Sequence, residues 1–230
     1  MRAPLFALAA TLAALATPAQ ADPLQDQVLG GMRAANSADV GFTQTTRVER
    51  TGSAAKDYVT RYDPRAPAAS RWSLVRVDGR APTVKETREV LKGTGRAPLP
   101  GYARLAKWFG GPATRVAQGP GSVTYRFARL PAGTIKIGSH DASADTIVDA
   151  VVNTGGRVPY VERVRMTSSA PFRMMMVAKV DGFVFTSSYG LLPDGRPFPT
   201  GNDADMTGSM LGKSGSFKTR TRYTDVRATR

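Results

Sequence analysis

The chain has 230 residues, a formal net charge of +14 at pH 7 and no cysteine. This length suits one domain with a sizeable core, and the lack of cysteine excludes disulfide scaffolds, thiol nucleophiles and cysteine-ligated metals. The excess of lysine and arginine favours anionic partners such as lipid headgroups, acidic polymers or nucleic acid.

The first 21 residues have the pattern of a secretory signal peptide. Arg2 precedes an apolar stretch from Leu5 to Ala16, and Ala19-Gln20-Ala21 is a small-x-small cleavage site. No later run approaches the ~20 apolar residues that a transmembrane helix needs. We therefore expect cleavage after Ala21, leaving residues 22–230 as a single soluble domain in the periplasm. Export makes nucleic acid the least expected of the anionic partners.

Local patterns predict a helix and then three strands in the first third of the chain. An amphipathic pattern from Pro23 to about Ala38 indicates the helix, with Pro23 in its first turn. Side-chain alternation indicates the strands, with turns at Thr51-Gly52-Ser53 and Asp78-Gly79. The predicted strands span Phe42–Arg50, Asp57–Tyr62 and Ser70–Val77.

Two helices are predicted in the middle of the chain. Thr83 and Glu86 have the spacing of a capping box before a helix from Val84 to Lys92, which Gly93 is placed to end. A second, short helix lies between Pro98 and Gly111. Its apolar face is aromatic and consists of Tyr102, Leu105, Trp108 and Phe109.

The second half predicts an antiparallel meander. Asp181-Gly182 lies between two apolar runs and favours a type I′ turn, so a β-hairpin is predicted from Pro171 to Tyr189. A loop is predicted over Leu191–Asn202, and the last strand over Phe217–Arg227 places Lys218, Arg220 and Arg222 on one face. The other predicted strands span Ser122–Arg129, Thr134–Ile137, Thr146–Val152 and Tyr160–Thr167.

The pattern predicts neither catalysis nor a metal site. The single histidine lies in Ser139-His140-Asp141, but the members of a hydrolase triad converge from separate segments. Asp203 and Asp205 lie in a predicted loop without the glycine and terminal glutamate of a calcium site. No phosphate-binding glycine motif follows a strand. We therefore expect no enzyme activity, metal or cofactor.

Aromatic and methionine side chains are the candidate ligand-binding residues. On the predicted hairpin, period-two alternation places Met174, Met176, Phe183 and Phe185 on one face. Helices across a concave sheet would enclose an apolar cavity, or would instead fill the core, and the sequence leaves both open. The candidate cavity residues are Trp72, Leu74, Tyr102, Leu105, Trp108, Phe109, Met174, Met176, Phe183 and Phe185.

The order of elements resembles the bacterial lipoprotein-carrier superfamily (LolA/LolB-like). The resemblance lies in the N-terminal helix, the strand beginning Phe42-Thr43-Gln44, the tryptophan strand ending Val77-Asp78-Gly79, the mid-chain helices and the closing meander. It covers most of residues 22–227. The resemblance implies an α+β fold in which a curved antiparallel β-sheet forms an unclosed half-barrel and helices lie across its concave face as a lid.

The leading hypothesis is a periplasmic carrier that shelters a lipid, a lipidated protein or another hydrophobic ligand in the concave sheet. The alternative is a non-enzymatic envelope protein with a filled core. It would act through Lys218, Arg220 and Arg222 on an anionic membrane surface or an envelope protein. Salt separates the two hypotheses, because binding at an exposed charged surface weakens steeply as ionic strength rises.

Overall fold

The computed structural model describes residues 22–94, 98–174 and 178–229. The predicted signal peptide and Met176 of the predicted apolar face lie outside these ranges. The helices are α1 (Pro23–Ala34), α2 (Val84–Thr94) and α3 (Ala106–Phe109), and a 3-10 turn (Tyr102–Leu105) leads into α3. The strands are β1 (Val40–Arg50), β2 (Lys56–Tyr62), β3 (Trp72–Val77), β4 (Thr114–Gly119), β5 (Ser122–Phe127), β6 (Lys136–Ile137), β7 (His140–Asp141), β8 (Thr146–Asn153), β9 (Tyr160–Ser168), β10 (Phe172–Met174), β11 (Ala178–Leu191), β12 (Pro197–Met210) and β13 (Lys213–Ala228).

One antiparallel sheet contains all of these strands except β6 and β7, which pair with each other. Its order from edge to edge is β3-β2-β1-β13-β12-β11-β9-β8-β5-β4, and β10 pairs with the start of β11. The edge strands β3 and β4 do not pair, so the sheet is not closed within the described ranges. The predicted fold class, an α+β half-barrel with an unclosed antiparallel sheet, is confirmed.

Local signals placed the helix starts correctly. Asp22 caps α1, since its Oδ1 accepts hydrogen bonds from the backbone amides of Leu24 and Gln25 at 3.0 and 3.3 Å. The predicted capping box forms at α2: the Glu86 amide donates to Thr83 Oγ1, and Glu86 Oε2 accepts from the Thr83 amide at 2.8 Å. The predicted stop at Gly93 was wrong by one residue, because α2 continues to Thr94.

The predicted hairpin turn at Asp181-Gly182 was wrong. β11 runs through both residues, and neither has the positive φ that a type I′ turn requires. The register against β12 shifts between Val180 and Gly182, so the dipeptide forms a β-bulge. The bulge keeps Val180 and Phe183 in the same buried cluster although three positions separate them. Val180 and Phe183 therefore share an apolar cluster, but the predicted hairpin about Asp181-Gly182 does not form.

The predicted loop over Leu191–Asn202 was also wrong. β11 extends to Leu191 and β12 begins at Pro197, so the reversal takes only the residues between them. Gly195 adopts φ +82° and its amide donates to the Leu192 carbonyl at 2.8 Å, which closes a tight turn. Asp203 and Asp205 consequently lie in a strand and not in a loop.

The sequence patterns missed strand β4. All six of its residues are exposed, so the strand shows no alternation between buried and exposed positions that could reveal it. It is held as an edge strand by pairing with β5.

Candidate ligand groove

Helices fill one half of the concave face. Val28 and Met32 of α1, with Trp108 and Phe109 of α3, pack into a buried cluster on β5, β8 and β9. Tyr102 anchors the 3-10 turn to the sheet, because its hydroxyl accepts a hydrogen bond from the Val161 amide at 2.7 Å. This half of the sheet is therefore a closed core.

The other half of the concave face is an open groove of about 980 Å³. Strands β1, β2, β11, β12 and β13 form its floor. Helix α2, which contacts the edge strand β3, lies along one side, and the 3-10 turn with α3, which contacts α1, lies along the other. A small aromatic cluster around Phe42, Tyr62 and Phe198 lies at one end, with Trp72 packed against it. The volume is at the upper end of the roughly 300–1,000 Å³ usual for ligand pockets.

Side chains on the concave face form rows across the strands, because residues in register lie side by side. Two rows at one end are largely apolar, and we call them the apolar rows. The first apolar row begins at Arg50 and continues through Phe217, Met206 and Phe183. The second consists of Val48, Thr219, Ala204, Phe185 and Met166. The next two rows are hydrophilic, and we call them the polar rows. They consist of Thr46, Thr221, Asn202 and Ser187, and of Thr60, Gln44 and Tyr223.

Hydrogen bonds link several side chains of the polar rows. Asn202 Nδ2 donates to Tyr223 Oη at 3.0 Å, and the Thr46 and Thr221 hydroxyls are 3.2 Å apart. Thr60 is 4% exposed and lines the groove, and its Oγ1 has no hydrogen-bond partner among the described residues. Because a buried hydroxyl normally has a partner, Thr60 offers the groove an unused hydrogen-bonding group.

Two tyrosines stand where the polar rows meet the 3-10 turn. Burial raises the pKa of Tyr189 to about 12 and raises the pKa of Tyr223. The positive charge of Arg104 lowers both pKa values in opposition to burial, and Arg104 lines the groove together with both tyrosines. Both phenols stay protonated at neutral pH and can donate hydrogen bonds.

The predicted cavity residues fall into two groups. Trp72, Leu105, Trp108 and Phe185 line the groove. The others do not line the groove: Tyr102 and Phe109 lie in the helix-covered core, Leu74 is buried on β3, and Met176 lies outside the described residues. Phe183 belongs to an apolar row but is buried in the cluster near the bulge, and Met174 packs against that cluster. The sequence analysis missed the polar rows and Arg104, because polar alternation on β1 looks the same whether it faces a groove or solvent.

The predicted basic surface lies on the opposite, convex face of the sheet. Arg220 forms a bidentate ion pair with Asp205 at 2.9 and 3.0 Å, and Arg222 pairs with Asp203 at 2.6 Å. Lys218 lies 4.0 Å from Asp205. These three cations therefore share two carboxylates, which lowers the positive charge that they present to a partner.

His140 is placed as a packing residue. Its ring stacks on Phe172 with centroids 4.1 Å apart, and its Nε2 lies 3.9 Å from Asp145 Oδ2. Within the described ranges, no group of three or more histidine, aspartate or glutamate side chains could hold a metal ion. None of the described helices is long and apolar enough to cross a bilayer.

No family model and no curated protein matches the chain. Among solved structures, the chain is similar to a LolA superfamily protein from Nitrosomonas europaea. The two are 10% identical with a TM-score of 0.34, over 89% of this chain and 92% of that one.

Proposed function

We propose that this protein is a non-enzymatic carrier that binds a hydrophobic or amphiphilic ligand, such as a lipid or a lipid-modified protein, in the open half of its concave sheet. The observation that supports this proposal is the unequal filling of that face. The helices bury one half completely and leave about 980 Å³ over the other half, lined by Val48, Trp72, Val90, Leu105 and Phe185.

Apolar burial would supply most of the affinity. Transfer of apolar area from water contributes roughly 25 cal/mol per Å². Phe185 and Val48 belong to the apolar rows, and Val90 of α2 also lines the groove. A chain lying on these residues would be covered by α2 and needs no covalent step.

The signal-peptide pattern of residues 1–21 supports the periplasm as the place of this activity. A compartment between two membranes offers a role for a protein that shields apolar chains from water. Donor and acceptor would then be membranes or envelope proteins.

The test is binding of a neutral apolar fluorophore, N-phenyl-1-naphthylamine, to the purified protein. Phe185→Ser removes an aromatic ring from an apolar row and should weaken binding about tenfold, because it removes one large side chain from the contact area. Native mass spectrometry of protein purified from the periplasm, followed by organic extraction, would identify a ligand that is already bound.

Val184→Ser is the matched control, because Val184 is the next residue on β11 and points to the convex face opposite Asp205. It should leave binding unchanged. Urea unfolding and circular dichroism show whether each variant retains the sheet. Absence of probe binding by the wild type, or equal losses in both folded variants, would contradict the proposed function.

A further inference from the structure

We propose that the ligand is an amphiphile with an oxyanion head, a carboxylate or a phosphate, which Arg104 and the polar rows hold. Its hydrocarbon chain would lie on those members of the apolar rows that line the groove, which are Val48, Ala204, Phe185 and Met166. This inference rests on the proposed function and adds the orientation of the ligand in the groove. The head would lie at the Tyr189 and Tyr223 end of the groove, and the chain would run toward Arg50.

The first step of the argument is that the polar and apolar rows are separated on the floor of the groove. Along β1, the concave residues change from Gln44 and Thr46 to Val48 within one strand. Along β11, they change in the same direction from Ser187 to Phe185. Both strands therefore divide the floor at the same level, and a purely apolar ligand would leave the polar half unmatched.

The second step of the argument is that Arg104 lies beside the polar rows. Arg104 lies on the 3-10 turn, is exposed and lines the groove. The Tyr102 ring of the same turn contacts the Tyr189 ring with centroids 5.4 Å apart, so the turn is fixed beside the polar rows. None of the ion pairs formed between described residues involves Arg104. Its guanidinium fork matches the geometry of an oxyanion.

The third step of the argument concerns hydroxyl groups that line the same groove as Arg104. Tyr223 Oη accepts a hydrogen bond from Asn202, so its own proton can be donated to a ligand. Thr60, the neighbour of Gln44 in the same polar row, has an unused buried hydroxyl. An oxyanion accepts several hydrogen bonds at once, whereas a neutral alcohol or ester accepts fewer.

The experiment measures displacement of N-phenyl-1-naphthylamine by decanoate, decyl phosphate, 1-decanol and inorganic phosphate. Arg104→Gln removes the charge and keeps a polar side chain on an exposed position. We expect the Kd of decanoate or decyl phosphate to rise about tenfold, the loss of one charge-assisted contact, while the Kd of 1-decanol changes less than about twofold.

Arg157→Gln is the control, because Arg157 is exposed and lies outside the residues that line the groove. It makes the same charge change and should leave all four ligands unaffected. The ratio of the decanoate and decyl phosphate constants shows which head fits better, and inorganic phosphate alone should not displace the probe.

Three results would overturn the inference. They are an unchanged affinity of Arg104→Gln for both anionic amphiphiles, an equal loss for 1-decanol, and displacement by inorganic phosphate at the concentrations needed for decyl phosphate. In each case the fluorophore still binds to the wild type, so the proposed function survives. Failure of the fluorophore to bind would instead contradict the proposed function.

Discussion

At the scale of single residues, Asp22 does two tasks at once. Its carboxylate caps α1 and also forms a bidentate ion pair with Arg115 of β4, with both distances 2.6 Å. The hydrogen bond from Arg115 lowers the pKa of Asp22 from 3.8 to about 2. Asp22 thereby links the first helix to the edge strand at the far end of the sheet.

This linkage predicts a pH-dependent stability. Because the folded pKa of Asp22 lies below its ordinary value, the ionised side chain stabilises the fold above pH 3.8, and this contribution is lost as the pH falls toward 2. Asp22→Asn keeps a good helix cap but removes the ion pair, so its deficit in free energy of unfolding relative to the wild type should shrink between pH 4 and pH 2.

Urea unfolding at a series of pH values measures this deficit. Asp22→Ala is the comparison variant, because it also removes the cap and should cost about 1 kcal/mol that persists at every pH where the wild-type cap forms. A deficit of Asp22→Asn that stays constant from pH 6 to pH 2 would show that the ion pair with Arg115 does not stabilise the folded chain.

At the scale of elements, the bulge in β11 is the feature that shapes the sheet. Val180 pairs with Gly208 of β12, and Gly182 pairs with Thr207, so one extra residue of β11 is accommodated there. The bulge brings the backbones close together. A Cβ on Gly208 would lie 2.2 Å from the Lys179 carbonyl oxygen. Glycine at this position is therefore a steric requirement of the bulge.

Gly208→Ala should destabilise the fold by about 1–3 kcal/mol, because the clash is with backbone and cannot be relieved by a side-chain rotation. The matched control is Gly215→Ala on β13, the cross-strand partner of Gly208. A Cβ there would meet Thr51 Cβ at an ordinary 3.6 Å, so we expect a change within about 0.5 kcal/mol. Urea unfolding midpoints compare the two, and equal effects would contradict the assignment of the bulge.

At the scale of the whole molecule, the elements on the two sides of the groove differ in how much of their surface is buried. The 3-10 turn and α3 bury Tyr102, Trp108 and Phe109 in the core. Helix α2 contacts β3 and has no fully buried side chain, yet its residues Val90 and Thr94 line the groove. A helix with little buried area opens at low free-energy cost, so α2 is the element suited to act as the lid.

Hydrogen exchange tests this assignment. In the free protein the amides of α2 should exchange much faster than those of β8, whose alternate side chains are fully buried. Saturating decanoate should slow exchange in α2, because a bound ligand gives the helix an apolar surface to cover, and should leave β8 unchanged. Unchanged exchange in α2 with ligand bound would show that this helix does not cover the groove.

The sequence by itself determined those features whose partners lie within a few residues. The Thr83 and Glu86 capping box and the Asp78-Gly79 turn formed as predicted, with φ +50° at Asp78 and +78° at Gly79, because each depends only on neighbouring backbone. Strand alternation was also local, and it predicted an antiparallel meander, whereas the α+β half-barrel was implied by the resemblance to a known family.

Only the tertiary structure decided how those elements combine. Asp181-Gly182 has the composition of a turn, but β12 pairs with β11 both before and after this dipeptide, at Val180 and at Gly182, and so extends the strand through it. Pairing likewise aligns Gln44 with Tyr223, far apart in the chain, and so forms the polar rows. Whether a hydrophilic side chain faces a ligand or bulk water depends on the curvature of the sheet and the placement of the helices, which no short stretch of sequence encodes. For that reason Arg104 and the polar rows could be recognised as groove residues only in the folded chain.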